Sequence, residues 1–167
     1  MTNSVSAQEN LFNFSKNDDE KGWLIVNDGV MGGLSKGRFQ VIDHKAIFSG
    51  KVSTENNGGF TMVRNQFDQK SLLSYTSFVL ELKGDGKAYQ FRVKSSTDQR
   101  HSYVYTFTTN GNWQKITIPF ASLEPRFRGR NVSVSNFEGL QIEEVAFLIG
   151  NKREESFELV LKEINLE

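Results

Sequence analysis

The residue types best suited to chemistry stand in one glycine-rich segment, Trp23 to Ser35. A short apolar run leads there into an Asn-Asp pair, and two adjacent glycines follow a methionine. Asn and Asp side chains bond nearby backbone amides, and paired glycines permit positive φ and the close approach of another chain. The segment is either a well-capped turn or a binding loop; a phosphate loop is excluded because neither a lysine at the required spacing nor a helix follows. Its candidate binding residues are Asn27, Asp28, Met31, Gly32, Gly33 and Ser35.

Two further turn sequences carry polar residues that could join this loop. The first, Asn57-Gly58-Gly59, precedes an aromatic segment and is a strong hairpin signal. Arg64 lies further along the same segment, and a buried arginine needs a carboxylate partner. Asp28 is one candidate for that partner, and Asp85 of the Gly84-Asp85-Gly86 turn is the other. For the Asp85 turn the purely structural interpretation is favoured, because Asp-Gly is an ordinary turn pair.

Catalytic and metal-binding constellations are scarce in this chain. There are 2 histidines and no cysteine, which excludes thiolate metal sites and a cysteine nucleophile. An enzyme could use Asp28, Glu55 or Asp85, but no set of nucleophile, base and orienting group is readable. Calcium could take oxygens from Asp28, Asn57 or Asp85, although the spacing is not that of an EF-hand. We therefore predict a protein that is not an enzyme, with no cofactor and no metal.

The charge balance restricts the classes of partner. The chain has 20 basic and 20 acidic residues, whereas nucleic-acid binders normally carry a basic excess. No run of 18 apolar residues occurs, so no transmembrane segment is predicted. Residues 1–10 lack the apolar core of a secretory signal, which predicts a cytoplasmic protein. A monomer is favoured.

The elements that must position these residues are strands. Apolar and polar residues alternate with period 2, and aromatic residues make up 12% of the chain. The pattern predicts an all-β fold of antiparallel strands with few short helical turns, closed as a two-sheet sandwich or a jelly roll. Residues 1–10 are expected to form a flexible tail and residues 11–167 a single domain. The predicted strands are Leu24–Val26, Arg38–Ile42, Ala46–Ser53, Phe60–Phe67, Phe78–Lys83, Tyr89–Lys94, Tyr103–Phe107, Lys115–Ile118, Val145–Ile149 and Phe157–Lys162.

Three local expectations refine this arrangement. Asp68–Ser74 and Phe120–Leu123 are the candidate helical turns. Val145–Ile149 is continuously apolar, which is typical of a strand buried on both faces. Glu143 and Glu144, just before that strand, are expected to face solvent.

Taken together, the motifs resemble those of the complex I intermediate-associated protein 30 family, in its standalone bacterial form. The resemblance extends from about Phe12 to Leu166. The matching segments are Trp23 with Asn27-Asp28 and Val30-Met31-Gly32-Gly33-x-Ser35, Phe48-x-Gly50-x-Val52 with Asn56-Asn57-Gly58-Gly59-Phe60 and Arg64, Gly84-Asp85-Gly86 with Tyr89, and Trp113 with Pro119-Phe120 and Phe127-x-Gly129.

The resemblance implies a galactose-binding-like jelly roll without known catalytic activity. It also implies a chaperone-like role, because the mitochondrial relatives hold membrane-arm assembly intermediates of NADH:ubiquinone oxidoreductase. The first functional hypothesis is therefore a protein-binding module whose partner is an assembly intermediate. The second is a module that binds carbohydrate or another small ligand through exposed aromatic rings. The candidate rings are Trp23, Tyr75, Tyr103 and Trp113.

Overall fold

The computed structural model describes residues 8–16 and 20–167, which form strands joined by tight turns. Short 3-10 turns occur at Asp28–Met31, Glu55–Asn57 and Phe120–Ser122. The strands are β1 (Glu9–Asn13), β2 (Trp23–Asn27), β3 (Lys36–Ile42), β4 (Lys45–Val52), β5 (Thr61–Ser71), β6 (Ser77–Lys83), β7 (Ala88–Lys94), β8 (Ser102–Thr108), β9 (Trp113–Pro119), β10 (Glu124–Phe127), β11 (Arg130–Asn131), β12 (Gln141–Ile149) and β13 (Glu155–Leu166).

These strands form two antiparallel sheets. The six-stranded sheet has the order β3-β4-β13-β6-β9, with β1 also pairing with β13. The seven-stranded sheet has the order β11-β10-β8-β7-β12-β5-β2. This architecture confirms the predicted all-β sandwich, and the alternating strand pattern is the reason for it, because each strand turns one apolar face inward.

The core between the sheets is rich in aromatic residues. Phe78 of the six-stranded sheet lies edge-on to Phe91 of the seven-stranded sheet, with ring centroids 5.1 Å apart. Phe91 in turn contacts Phe147 at 5.4 Å. All three rings are fully buried, so the large phenylalanine content is used mainly to fill the space between the sheets.

Two local expectations need correction. Asp68–Ser71 are not helical but form the end of β5, where Lys70 pairs with Ile142 and Ser71 with Gln141. Pairing with β12 extends the strand through a polar sequence that alone indicates a turn. The predicted tail is also too long, because Glu9 and Asn10 belong to β1; residues 1–7 lie outside the described part of the chain.

The helical turn expected at Phe120 is present as a 3-10 turn. In the part of the chain that the structure describes, no helix has the length and hydropathy needed to cross a lipid bilayer.

Candidate functional site

Two loops meet at one end of the sandwich. The first follows β2, which pairs with β5, and the second connects β4 to β5. The first loop leaves β2 through the 3-10 turn Asp28–Met31, which Gly32 closes in the left-handed region at φ 85°. The amide of Gly33 then donates to the carbonyl oxygen of Asp28 at 3.0 Å, and the chain reverses into β3. The second loop leaves β4 and passes through the turn Glu55–Asn57 before β5 begins.

The Asp28 carboxylate joins these loops. It is 1% exposed and accepts hydrogen bonds from four donors. The backbone amide of Ser35 donates at 3.0 Å and its hydroxyl at 2.6 Å, both from the first loop. The amides of Gly59 and Phe60 donate from the second loop at 2.6 and 3.3 Å. The Asp28 side chain therefore bonds backbone amides of both loops.

Ser35 extends the network to the end of β4. The backbone amide of Ser53 donates to the Ser35 Oγ at 2.9 Å. That hydroxyl has one proton and lies near both the Asp28 carboxylate and the Ser53 carbonyl, at 2.6 and 3.1 Å. The carboxylate is the closer acceptor and is charged, so the Ser35 hydroxyl donates its hydrogen bond to Asp28. Ser35 thus links the backbone amide of Ser53 to the Asp28 carboxylate through a chain of two hydrogen bonds.

Asn27 makes a second, smaller bridge beside the first. Its Oδ1 accepts from the Gly37 amide at 3.2 Å and from the Thr61 hydroxyl at 2.6 Å. These partners begin β3 and β5, so Asn27 ties the two strands together at the same end of the sandwich.

Gly33 and Gly58 lie so close to the Asp28 side chain that neither position has room for a Cβ atom. A Cβ on Gly33 would lie 2.3 Å from the Asp28 Cγ, and a Cβ on Gly58 would lie 2.5 Å from its Oδ2. Non-bonded heavy atoms do not approach so closely. The glycines therefore allow the backbone of both loops to close over the carboxylate.

The electrostatics keep Asp28 ionised. Burial, the largest influence, raises the pKa of this carboxyl, but the hydrogen bonds from the Ser35 hydroxyl and from the Gly59, Phe60 and Ser35 amides outweigh it. The net effect places the pKa below its ordinary value. A carboxylate stabilised in this way, with its oxygens already occupied, is a poor general base.

Arg64 is not part of this cluster, so its predicted pairing with Asp28 or Asp85 is wrong. Its guanidinium lies 3.6 Å from Oε1 of Glu144 on the neighbouring strand β12. The expectation that Glu144 faces solvent is also wrong, since its side chain is 3% exposed and accepts from Gln66 at 2.8 Å.

Asp85 braces a different turn. Its Oδ1 accepts from the Tyr89 hydroxyl at 2.9 Å, and its Oδ2 accepts from the Glu158 amide at 2.9 Å and pairs with Lys87 at 3.2 Å. Burial raises the pKa of Asp85, and the hydrogen bonds from Glu158, Tyr89 and Lys87 lower it further than burial raises it. Among the described residues no hydrogen bond joins Asp85 to the Asp28 cluster.

The structure thus brings together most of the candidate binding residues, but Arg64 and Asp85 lie apart from the Asp28 cluster. Asn27, Asp28, Gly32, Gly33, Ser35, Gly58 and Gly59 lie in the two loops or their immediate contacts. The side chains of Met31 and Asn57 lie outside what the structure describes. Ser53 and Thr61 are the members that the sequence analysis missed, because small hydroxyl residues at strand ends give no signal of their own.

Within the described residues, the Asp28 site lacks the cluster of ligand side chains that a metal ion needs. In residues 8–16 and 20–167, no three His, Asp or Glu side chains come together as a metal site requires.

Several solved structures of carbohydrate-binding modules have the same fold as this chain. The chain is similar to the family 11 module of a cellulosomal cellulase of Clostridium thermocellum, with a TM-score of 0.71 and 17% identity over 98% of this chain and 95% of that one. A second structure of the family 11 module from that organism, in complex with a β-1,3-1,4-mixed-linked tetrasaccharide, has a TM-score of 0.68 and 18% identity, covering 98% of this chain and 96% of that chain. A variant of a family 29 module matches at a TM-score of 0.59 and 7% identity, over 96% of this chain and 90% of that one.

These similarities establish the jelly-roll β-sandwich fold and nothing finer. No curated protein matches the chain by sequence. The model of a protein family, described as complex I intermediate-associated protein 30, does match, and it covers residues 12–161. The match includes both loops around Asp28 as well as the turn of Asp85. The chain therefore belongs to the complex I intermediate-associated protein 30 family.

Proposed function

We propose that the protein is a non-catalytic, protein-binding module that acts like a chaperone on assembly intermediates of respiratory complex I. Family membership supports a role in assembly. The observation that carries the non-catalytic part is the state of Asp28. Its carboxylate already accepts four internal hydrogen bonds, so the most distinctive polar group of the family motif holds loops together instead of facing a substrate.

The Asp28 cluster supports binding indirectly, through rigidity. A buried carboxylate that collects amides from two loops fixes the shape of the surface that those loops present. A preorganised surface loses less conformational entropy when a partner docks. The motif can therefore be essential for binding without touching the partner.

Gene deletion in a host that possesses complex I tests this role. We expect lower complex I content and activity, with membrane-arm intermediates accumulating in native gels, and restoration by the wild-type gene. The protein should co-purify with complex I subunits from cells in which assembly is under way. Unchanged complex I content and activity after deletion would contradict the assembly role.

Carbohydrate binding is the second candidate, and one aromatic side chain favours it. Trp113 is 42% exposed on the outer face of the six-stranded sheet, with the Lys45 ammonium 5.8 Å from its ring centroid. The other candidate rings are less suitable. Trp23 is 9% exposed and stacks on Phe39, Tyr103 is half-buried, and the Tyr75 hydroxyl donates to Glu9.

Calorimetry with a mixed-linked β-1,3-1,4-tetrasaccharide checks the second candidate. If Trp113 stacks on sugar rings, Trp113→Ala should weaken binding at least about fivefold, because a stacked aromatic ring contributes more than about 1 kcal/mol. Leu73→Ala, at an exposed side chain elsewhere, is the matched control and should bind normally. Absence of heat from the wild-type protein at millimolar sugar would rule this ligand out.

A further inference from the structure

A row of side chains crosses five strands on the outer face of the six-stranded sheet. The strand register places Gln40, Ile47, Val160, Lys83 and Trp113 side by side on β3, β4, β13, β6 and β9. The residues next to them along the strands point inward, and the fully buried ones include Phe48, Leu159 and Leu82. We call these five outward residues the central row.

The central row is accessible along its whole length. Trp113 is 42% exposed, Gln40 and Lys83 are exposed, and Ile47 and Val160 are half-buried. Adjacent strands lie about 4.8 Å apart, so the row is about 19 Å long. Because its two middle residues are aliphatic, the row offers an apolar centre that a partner can reach.

A shallow groove lies on each side of the central row. One groove has a volume of about 500 Å³, and its lining includes Ser49 and Glu158. The other has a volume of about 530 Å³, and its lining includes Val79 and Thr117. The register places the first pair before the row and the second pair beyond it, so the row lies between two depressions that can receive side chains of a partner.

Positive charge predominates on this face. The outward positions of its strands hold seven cationic side chains and three carboxylates. The cations are Lys36, Arg38, Lys45, Lys51, Lys83, Lys115 and Lys162, and the carboxylates are Glu81, Glu158 and Glu163. Since the chain as a whole has a formal net charge of zero, the excess is a property of this face.

Most of these cations have no internal counter-ion. Lys162 lies 3.4 Å from Glu81, whereas the other six have no carboxylate within 4 Å in the part of the chain that the structure describes. Three further acidic residues, Asp43, Asp85 and Glu167, stand in the turns and at the strand end that border the face, and Asp85 already pairs with Lys87. The positive excess remains when all of these are included, so the face is complementary to an anionic partner.

The cations stand at both ends of the central row. Near Gln40, the Nε of Arg38 donates to the Ser49 hydroxyl at 3.3 Å. At the other end, the Lys45 ammonium lies 5.8 Å from the Trp113 ring centroid, and Lys115 is the next outward residue of the same strand. An apolar centre within a charged rim is the usual anatomy of a protein interface.

The composition of the row favours a protein segment over a polysaccharide. A sugar chain stacks on a series of aromatic rings, and this row has one ring, Trp113, at its end. The middle of the row, Ile47 and Val160, is aliphatic and matches apolar side chains such as leucine. Since the row runs across the strands, the segment lies on the face of the sheet and does not extend it by backbone pairing.

We propose that the outer face of the six-stranded sheet docks an extended protein segment in which acidic residues flank aliphatic ones. The aliphatic side chains cover Ile47 and Val160. The acidic side chains approach Arg38 at one end of the row and Lys83 and Lys115 at the other. This inference deepens the proposed protein-binding function and rests on it.

Nuclear magnetic resonance titration of the ¹⁵N-labelled protein tests the face directly. The probe is the blocked peptide acetyl-Glu-Ser-Leu-Ser-Leu-Ser-Glu-amide at millimolar concentration and low ionic strength. When extended, it spans about 20 Å with its Glu and Leu side chains on one side. We expect saturable shifts of the Ile47 and Val160 amide signals and of the Trp113 indole N–H. The indole signal of the buried Trp23 should not move.

Two altered peptides separate charge from apolar contact. Replacing both Glu by Gln should weaken binding about fivefold, which corresponds to about 1 kcal/mol from two exposed ion pairs. Replacing both Leu by Ser should weaken it by at least as much, because apolar burial is lost. Physiological salt should remove most of the difference between the Glu and Gln peptides. Equal binding of those two peptides at low salt, or no saturable shift, would overturn the proposal.

A triple variant locates the charge effect. Lys45→Gln/Lys83→Gln/Lys115→Gln should bind the Glu and Gln peptides equally. The matched control, Lys21→Gln/Arg100→Gln/Arg128→Gln, changes the net charge by the same amount at exposed positions outside this face and should keep the preference. A full preference for Glu in the first triple variant would exclude the face.

Tetragalacturonate tests the alternative class of anionic partner. The protein should bind it more weakly than the Glu peptide, because the apolar centre of the row has no counterpart in that sugar chain. Tighter binding of tetragalacturonate would overturn the protein partner in favour of an acidic polysaccharide.

The docking face and the assembly role can fail separately. If deletion lowers complex I content and the gene for Lys45→Gln/Lys83→Gln/Lys115→Gln restores it fully, this face is not the docking site although the assembly role stands. If the peptide shifts appear but deletion leaves complex I unchanged, the docking face stands and the respiratory role fails.

Discussion

Asp28→Ala is expected to lower the free energy of unfolding by about 3–5 kcal/mol, because several buried donors lose their acceptor at a cost of about 1–3 kcal/mol for each one left unsatisfied. The variant leaves the amides of Ser35, Gly59 and Phe60 and the Ser35 hydroxyl without their acceptor, in a place where Asp28 is 1% exposed. Urea denaturation followed by tryptophan fluorescence measures the change, since Trp23 is buried against Phe39.

Glu55→Ala is the matched control for this prediction. Glu55 is a carboxylate in the adjoining 3-10 turn and is exposed, so its removal should change the unfolding free energy by less than about 0.5 kcal/mol. A loss below about 1 kcal/mol in Asp28→Ala would contradict the bracing role of the carboxylate.

The same carboxylate makes stability depend on pH in a defined direction. The pKa of Asp28 in the folded protein lies below the value of about 3.9 for an unfolded chain. The unfolded state therefore takes up the proton first, so the contribution of Asp28 is complete above about pH 5 and declines as the pH falls through the folded-state pKa. Asp28→Asn should flatten this decline, leaving the parts due to Asp85 and Glu9, whose pKa values are also lowered. An unaltered acid limb in Asp28→Asn would contradict the assignment.

Gly33→Ala is expected to cost about 2–3 kcal/mol, as overpacking of a close-fitting site does. The new Cβ would lie 2.3 Å from the Asp28 Cγ, and the carboxylate cannot move away without losing the hydrogen bonds to both loops. Gly29→Ala is the matched control in the same loop, because a Cβ there meets no atom within 4 Å. Equal stability losses in the two variants would show that backbone flexibility, and not contact with Asp28, determines the cost.

A double-mutant cycle separates the contact from other effects of the substitution. In the Asp28→Ala background the two atoms that would lie 2.3 Å from the new Cβ are gone, and only the Cβ of residue 28, at 2.8 Å, remains close, so Gly33→Ala should cost less than in the wild type. Contacting residues typically show coupling of about 0.5–3 kcal/mol in such cycles. Strict additivity would mean that the glycine is required for another reason.

Much of this fold follows from local pattern. Strands such as Phe78–Lys83 alternate cleanly because one face meets the core and the other meets water. The Asn27-Asp28 turn was also interpretable, since these side chains bond nearby amides wherever glycines bring the backbone close. What the sequence could not supply was the partner loop: the amides of Gly59 and Phe60 are 31 and 32 residues away from Asp28.

The partner of Arg64 was predicted wrongly for a physical reason. Its carboxylate, Glu144, is on β12 in the same register as Ala146, which pairs with Arg64. Glu144 therefore shares a face with Arg64 only because β12 lies beside β5. That strand order joins residues 78 positions apart, such as Gln66 and Glu144, and is revealed only by tertiary structure.

The position of β13 has a consequence for how the chain folds during synthesis. Glu155–Leu166 pairs with β4 on one side, β6 on the other and β1 at its end, so the strand made latest lies in the middle of its sheet. Until the ribosome releases those residues, β4 and β6 have no shared neighbour and expose unpaired edges, which are prone to non-native association. The protein must therefore pass through a nascent state that holdase chaperones are suited to protect.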